Sequence, residues 1–485
     1  MYPVVDTKQF ESHGQGFGIS DAATLSELNK ALTAGYASDP GTQSGGGALR
    51  VEALDATLKI VSFMMKNIVF YNDIPKSKAT NTVEEYNMLS KYGGDGGFFI
   101  NEGGLPRTED SKYQRKVEFV KFMGTTREIT HPMLLVKPAH GNVVAQETKN
   151  GTMWMLQRME ENLFKGNADI IPQSYNGLDK QLVRGYADAD TAGDGKPDVS
   201  LEHVIDLRGG HITESIFEEA SRVLLDNYMF PTACYLPHTA HTDYNKGFFS
   251  KGRYGIPVGG QEMMTGFDSR QVKTAGGIIS LKPNVFLRID QKAPSVASNS
   301  TAPTAPATVA AAIEASPTGR AFKAGEAGLY HYEVTAISRS GESAATAIAS
   351  AVTVADTEAV ELTITKGAVS GNDDTQGYRI YRTRKGDPTG TKYLVEEVVS
   401  AGATTVFVDG NETLPGLGVA YIGQMDETVL TLRELCPMLK FPLATVATSI
   451  RWMQVIYNTP ILFRPRGFVK IKNIGRLTAP EFVSP

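Results

Sequence analysis

The fifteen methionines, two tryptophans and two cysteines of this 485-residue chain all lie outside residues 291–424, so two compositions share one polypeptide. A mid-chain segment of foreign composition, followed by a return to the first, reads as a domain inserted into a host that is interrupted and then completed. The segment opens with Ala293-Pro294-Ser295 through Ala315-Ser316-Pro317, rich in Ala, Pro, Ser and Thr and without an aromatic residue. Such a stretch cannot bury a core and is expected to be a tether. Beyond it, Tyr330, Tyr332, Val334 and Ala336 alternate with His331, Glu333 and Thr335 up to a turn at Ser340-Gly341-Glu342-Ser343. Further strands are predicted at Val360–Thr365, Tyr378–Thr383, Tyr393–Val399 and Thr404–Asp409. Short strands punctuated by turns predict an all-β immunoglobulin-like sandwich without a disulfide, and with its tether it occupies 291–417.

At about 150 residues per domain the length suggests roughly three units. With 41% hydrophobic and 21% charged residues the balance is that of an ordinary globular protein. A formal charge of -5 is small for this length and argues against a chain whose main work is gripping phosphate backbones or anionic lipid. Cys234 and Cys436 are too few for a disulfide scaffold, and Met1–Asp6 lacks the basic and apolar regions of a signal peptide, so synthesis in a reducing cytoplasm is expected. The longest uncharged run, Ala293–Ile313, is too polar to span a bilayer, and no membrane partner is expected.

In the host, residues 1–50 carry glycine clusters around one helical stretch near Ala22–Leu32 and read as an arm with little core of its own. Leu49, Ala53, Ala56, Ile60 and Met64 share a helical face across 48–66. From Ile74 to His131 the pattern is a long two-stranded excursion, Thr82–Leu89 against Tyr113–Thr130, with a glycine-dense tip at Gly93–Gly97 and Gly103-Gly104. An isolated ribbon is marginally stable in water, so one this long is expected to rest on another surface. Asn142–Lys165 is the longest helical pattern, with Ala145, Thr152, Leu156, Met159 and Leu163 along one stripe and Gly166 as terminator; it would run roughly 36 Å. A second helix is signalled by Thr213 as N-cap before Ile216, Ala220, Val223 and Leu224. Thr232–Leu236 reads as a buried strand, Gly247–Gly277 as loops, and Ile278–Ile289 as a strand. After the insert come helix-like Glu427–Leu439 and strand-like Leu443–Tyr457 and Gly467–Ile474.

Three constellations invite a chemical interpretation. Cys234, His238 and His241 have a C-x3-H-x2-H spacing that could gather three zinc ligands, but no fourth is evident and a packed thiol with two loop histidines is preferred. Asp188, Asp190, Asp194 and Asp198 resemble a calcium loop, yet a twelfth-position acid is missing, since Val199 or Leu201 stands there, and a solvated acidic turn is preferred. Arg464, Arg466, Lys470, Lys472 and Arg476 form a basic run without an acid; alternation with Phe468 and Ile471 favours one solvated side of a strand, or salt bridges to a neighbour, over nucleic-acid contact. Gly195-Lys196 is followed by proline and is no phosphate loop, and neither H-E-x-x-H nor G-x-S-x-G occurs. No catalytic, cofactor-binding or metal-binding residue is assigned, and an enzyme is not expected. Tyr330, Tyr332 and Tyr378 could form a sugar platform, but their spacing favours sandwich core.

Several longer segments carry a family resemblance. They are Gly45–Arg50, Asn67–Ile74, Leu163-Phe164-Lys165-Gly166-Asn167, Thr405–Asp409 with Glu412–Pro415, Tyr421–Met425 and Leu435–Ala444. Together and in order they resemble the major capsid proteins of tailed bacteriophages, in particular large myovirus versions with an immunoglobulin-like insertion. The resemblance implies an α+β chain with the Hong Kong 97-type capsid fold: an N-terminal arm at 1–50, a first part of the core at 51–290 and its completion at 418–485. Within these it implies an extended loop at 74–131, a spine helix at 142–165, an axial domain at about 200–280 and 425–445, and peripheral strands near 446–485. It further implies self-assembly through hexamers and pentamers into an icosahedral virion shell, built in the host bacterial cytoplasm. The implied partners are portal and decoration proteins and packaged double-stranded DNA held without sequence specificity. A phage adhesion protein binding glycans through its immunoglobulin-like part is the alternative.

Overall fold

The computed structural model describes residues 65–93, 98–136, 142–187, 201–248, 256–258, 262–264, 269–287, 294, 302–315, 317, 320–368, 374–444 and 448–477. The chain divides into two compact units, 1–59 with 137–143 and 60–136 with 144–485, and nearly all described residues belong to the second. The predicted arm, most of the predicted helix at 48–66 and the acidic turn at 188–198 lie outside the described residues.

In chain order the host begins with a one-turn helix α1 (Phe70–Asp73) and strands β1 (Lys76–Lys78), β2 (Val83–Lys91), β3 (Lys112–Phe119) and β4 (Lys121–Thr130). Helices α2 (His131–Leu135), α3 (Val143–Lys165) and α4 (Leu178–Ala187) follow, then β5 (Val204–Asp206), α5 (Glu214–Asp226), β6 (Ala233–Pro237) and α6 (His238–Phe248). A short hairpin, β7 (Ile256–Val258) with β8 (Glu262–Met264), precedes β9 (Gln271–Thr274) and β10 (Gly277–Asn284). Among the described residues of the insert run ten strands: β11 (Thr308–Glu314), β12 (Gly328–Tyr330), β13 (Tyr332–Ser338), β14 (Gly341–Glu342), β15 (Thr346–Ala347), β16 (Val352–Val354), β17 (Ala359–Thr365), β18 (Gly377–Arg382), β19 (Tyr393–Val399) and β20 (Thr404–Asp409). The host resumes with β21 (Gly418–Gly423), β22 (Leu430–Pro442), β23 (Ser449–Leu462) and β24 (Phe468–Ile474).

Helix α3 organises the host because its apolar positions recur at i, i+4 and i+8. Met155, Met159 and Leu163, with Leu156 and Phe164 beside them, are buried in the larger core together with strand residues such as Tyr235, Ile422 and Ile471. Two glycines let it sit there. A Cβ on Gly151 would lie 2.0 Å from Gln454 Oε1, so a larger residue there would have to turn aside the Gln454 side chain that ties α3 to β23. One on Gly166 would meet the carbonyl oxygens of Tyr175 and Asn162 at 2.6 and 2.7 Å, and Gly166 N–H closes the last turn onto Asn162 O at 2.7 Å. Thr213 precedes α5 with extended backbone as expected of an N-cap, but its hydroxyl bonds Ser215 Oγ at 2.8 Å and caps no backbone N–H.

Two sheets pack around that core. One is four-stranded in the order β1-β22-β23-β4; the other is mixed and six-stranded, β5-β24-β21-β6-β10-β9. Three sequence expectations change here. Lys121–Thr130 is not an arm of the ribbon: the chain switches partner at the buried Val120, and β4 pairs in register with β23 from Lys121↔Asn458 to Thr130↔Ser449. Glu427–Leu439 is not a helix, because Leu430–Pro442 runs as β22 along β23, with register shifts on either side of Cys436 that accommodate Pro437. That strand belongs to the sheet of 449–462, whereas the final strand β24 sits in the six-stranded sheet, so the strands near 446–485, which the resemblance grouped together, are divided between two sheets.

A second core, of Val309, Phe322, Tyr332, Val334, Leu362 and Ile380 among others, lies between the three-stranded sheet β11-β17-β20 and the sheet β14-β13-β18-β19. Part of the expected tether is therefore structured. Thr308–Glu314 pairs along its whole length with β17 and buries Val309; its backbone joins the ladder although its alanines offer little to pack.

Candidate functional site

The ribbon now consists of β2 and β3 alone, paired from Val83↔Phe119 to Leu89↔Tyr113. Near its base the Tyr86 ring meets Phe463 edge-on at 4.9 Å. At the far end Tyr92, Phe98, Phe99 and Leu105 point into solvent, Leu105 being 95% exposed, and Phe98 and Phe99 touch chiefly each other, with ring centroids 4.2 Å apart. Apolar side chains of this size gathered at one tip mark a surface that another molecule covers.

The root of the ribbon is fixed by a buried carboxylate that sequence reasoning missed. Glu160, in α3, turns inward and accepts the backbone N–H groups of Val69 and Phe70 on Oε1 at 3.1 and 2.7 Å, and that of Tyr71 on Oε2 at 2.8 Å. Asn284 Nδ2, at the end of β10, adds a fourth bond at 2.8 Å. Asp73 Oδ2 accepts from Tyr235 Oη and pairs with Lys282 Nζ, both at 2.8 Å. Tyr71 Oη donates to Glu434 Oε1 at 3.2 Å, and β1 runs parallel to β22. The ribbon thus springs from a point tied to helix and to both sheets.

Burial raises the Glu160 carboxyl above the usual carboxylate range, and the N–H groups of Tyr71 and Phe70, the Asn284 amide and the Val69 N–H offset part of that. A folded-state value above the unfolded one means that the stability Glu160 contributes is complete below the unfolded pKa and is lost as pH rises through the folded one. Glu160→Gln would set an amide NH2 against these donors. It should cost about 1–3 kcal/mol and flatten this part of the profile, as denaturant unfolding between about pH 4 and 8 would show.

The four-stranded sheet carries apolar residues on both faces, and among the described residues one face is covered by α3 while the other keeps large apolar side chains exposed. Toward α3, Trp452 is buried, Gln454 Nε2 donates to Thr148 O at 2.9 Å and Thr152 Oγ1 at 3.1 Å, and Lys440 Nζ donates to Thr148 Oγ1 at 2.9 Å. On the opposite face Leu439, Phe441 and Phe122 stand 42%, 44% and 60% exposed, with Met453 and Tyr457 between them. A sheet with two apolar faces needs two coverings.

The sequence-derived chemical candidates do not converge. Cys234 is fully buried in β6, where burial pushes its thiol above the ordinary range. His238 opens α6 and His241 lies within it, its ring bonding Ser269 O at 2.8 Å, so these histidines are helical and not in a loop. Among the described residues no three His, Cys, Asp or Glu side chains stand together as a metal site. Three of the five bases of the basic run are engaged within their own chain: Lys470 pairs with Asp179, Lys472 with Asp206 at 3.6 Å and Arg476 with Asp243 at 3.4 Å. Tyr330, Tyr332 and Tyr378 are buried, so they form sandwich core and no sugar platform. No described helix is long and apolar enough to cross a membrane.

No family model matches the chain. A protein of Enterococcus phage phiEF24C is 27% identical over 457 residues, covering 92% of this chain and 94% of its own length. The major capsid protein of Staphylococcus phage S25-3 is 26% identical over 469 residues, covering 92% and 95%, and that of Staphylococcus phage K gives the same figures. Among solved structures, the capsid of a native GTA particle superposes with a TM-score of 0.46 at 8% identity, over 90% of this chain and all of the other.

Proposed function

We infer that this chain is a major capsid protein of the tailed-bacteriophage kind, which assembles with copies of itself into the icosahedral head shell of the virion. The observation that carries this is its alignment over 92% of its length with major capsid proteins that are themselves covered over 95%. The host then takes the Hong Kong 97-type arrangement, with 74–131 as the extended loop, 142–165 as the spine helix, the six-stranded sheet with α5 and α6 as the axial part and the four-stranded sheet as the peripheral part. Residues 291–417 form an immunoglobulin-like insertion that projects outward. The role is structural and not enzymatic.

The ribbon and the uncovered sheet face support a mechanism in which each copy completes its neighbour. A ribbon tip lying over the adjacent subunit makes a head-to-tail contact, and head-to-tail contacts close into rings when their rotation allows. Obligate interfaces of this sort often exceed about 2,000 Å². Repeated around hexamers and pentamers, they oblige a departing chain to break many contacts at once. The shell holds double-stranded DNA through these overlaps, without sequence-specific contact, and portal and decoration proteins join it.

Electron microscopy of the expressed chain tests the inference: closed shells or hexameric and pentameric rings are expected, and a compact monomer at every concentration would overturn it. A Phe122→Ser, Phe441→Ser double variant should cost the folded monomer about 1–2 kcal/mol per site, since Phe122 meets Tyr457 edge-on at 4.9 Å and Phe441 is partly buried, leaving it folded and yet lowering the yield of closed particles. Undiminished yield would remove the sheet face from the mechanism.

A further inference from the structure

Five non-glycine residues among those described have left-handed backbone, and three of them meet at one place. They are Arg208 (φ 45°), just after β5, Asn411 (φ 57°), just after β20, and Asn473 (φ 56°), in β24. Side chains at such φ values are costly and persist where the surroundings over-determine them. Here the surroundings are one another. Arg208 Nη1 donates to Glu326 Oε1 at 3.0 Å and to Asn411 O at 2.7 Å, while its Nε faces Asp206 Oδ2 at 3.1 Å. Asn473 Nδ2 donates to Asp206 Oδ1 at 2.7 Å and Glu412 O at 2.9 Å, and its Oδ1 accepts Leu414 N–H at 2.8 Å. Asn411 Nδ2 donates to Glu326 Oε2 at 2.7 Å, and its Oδ1 accepts from Arg382, whose guanidinium also holds Asp409 in the second core.

We propose that this seam is a rigid joint, in which Arg208, Asn411 and Asn473 lock the insert onto the edge of the host sheet in one orientation, so that it is a stiff projection and not a passenger on a tether. Both ends of the network are anchored. Asp206 and Asn473 belong to paired host strands, and Arg382 and Asp409 belong to paired strands of the second core. Rotation at the seam would part Arg208 from Glu326 and from Asn411 O, and Asn473 from Glu412 O and the Leu414 N–H, leaving partly buried polar groups without partners. A second contact points the same way: a Cβ on Gly377, in β18, would lie 2.5 Å from Ile170 Cγ2, so insert and host are also in close apolar contact beyond the end of α3. The inference goes beyond the capsid function and holds or fails independently of it.

Glycine gives the test its sign. It accepts these φ values without steric cost, so if the three positions served turn geometry alone, glycine would leave the joint as tight or tighter. If the side chains hold the joint, glycine loosens it. Amide hydrogen exchange on the full-length chain is the measurement, read at Leu414 and Asn411. In Asn473→Gly and Arg208→Gly these amides should exchange at least about tenfold faster than in wild type, while those of Tyr332–Ser338 and Gly377–Arg382 keep their protection. Unchanged exchange at Leu414 in both variants would overturn the proposal. So would wild-type amides at 411–414 exchanging at free-chain rates, a result that needs no variant to fold.

Discussion

A chain lacking Gly93–Gly104 should fold, remain soluble and fail to build a closed shell. The deleted span contains Phe98, Phe99 and Ile100, all exposed, and no residue of either hydrophobic core. The monomer therefore loses little: β2 and β3 keep their pairing, and the root keeps Glu160. Unfolding midpoints should move by no more than the roughly 0.5 kcal/mol typical of surface changes. Assembly loses the apolar tip of every subunit at once, and multivalent binding multiplies that loss around each ring. Sedimentation and electron microscopy should find rings or monomers where the parent gives particles. Particles of normal size and yield from the shortened chain would show that the tip is not what joins the subunits.

Arg382→Met should be the most damaging single substitution in the insert, lowering its stability by about 3–5 kcal/mol. Arg382 is fully buried, pairs with Asp409, donates to Asn411 Oδ1 and to Thr413 O at 3.1 Å, and lies over the rings of Phe322 and Tyr330 at 5.4 and 5.2 Å. Burial, the largest single influence, lowers its pKa, but Asp409, Tyr332 and Tyr330 together outweigh it and the guanidinium is held above its ordinary value. Methionine matches the stem and leaves Asp409 in the core with Tyr332 Oη as its remaining side-chain partner, at 2.9 Å. An uncompensated buried charge is the costly part, so Arg382→Met with Asp409→Asn should recover much of the loss. Calorimetry of the pair of variants reads this directly; equal stability of the two would show that the charge is not the cause.

The sequence made legible those elements whose side chains face two different environments. The spine helix announces itself because Met155, Met159 and Leu163 recur at one spacing and Gly166 follows. Strand β6 does so through an unbroken apolar run, and β13 through strict alternation. The failures have physical causes of equal clarity. Leu430–Leu439 holds four leucines with Arg433, Glu434 and Met438, good helix formers, and only pairing with the distant β23 makes it a strand; Pro437, which a helix would not tolerate in its interior, was the available warning. Thr308–Glu314 looks like linker because alanine packs poorly, whereas its stability comes from backbone bonds to β17. Glu160 stands between Arg158, which pairs with solvent-facing Glu161, and the buried Leu163, and nothing local distinguishes an inward carboxylate from an outward one. The left-handed positions at the seam carried a faint signal in Asn411 and Asn473, since asparagine tolerates that conformation, and none in Arg208.

The order of strands in the six-stranded sheet sets a timetable for biosynthesis. Strands β5 and β6 are made early, but β24 and β21 stand between them, and both are encoded after the insert. A ribosome must therefore deliver the whole insert, on the order of ten seconds of elongation, before the middle of the sheet exists. During that interval the nascent host holds unmatched strand edges while the insert, whose described strands pair with one another, is free to fold first. Late closure keeps a half-made subunit from presenting its finished joining surfaces to completed neighbours.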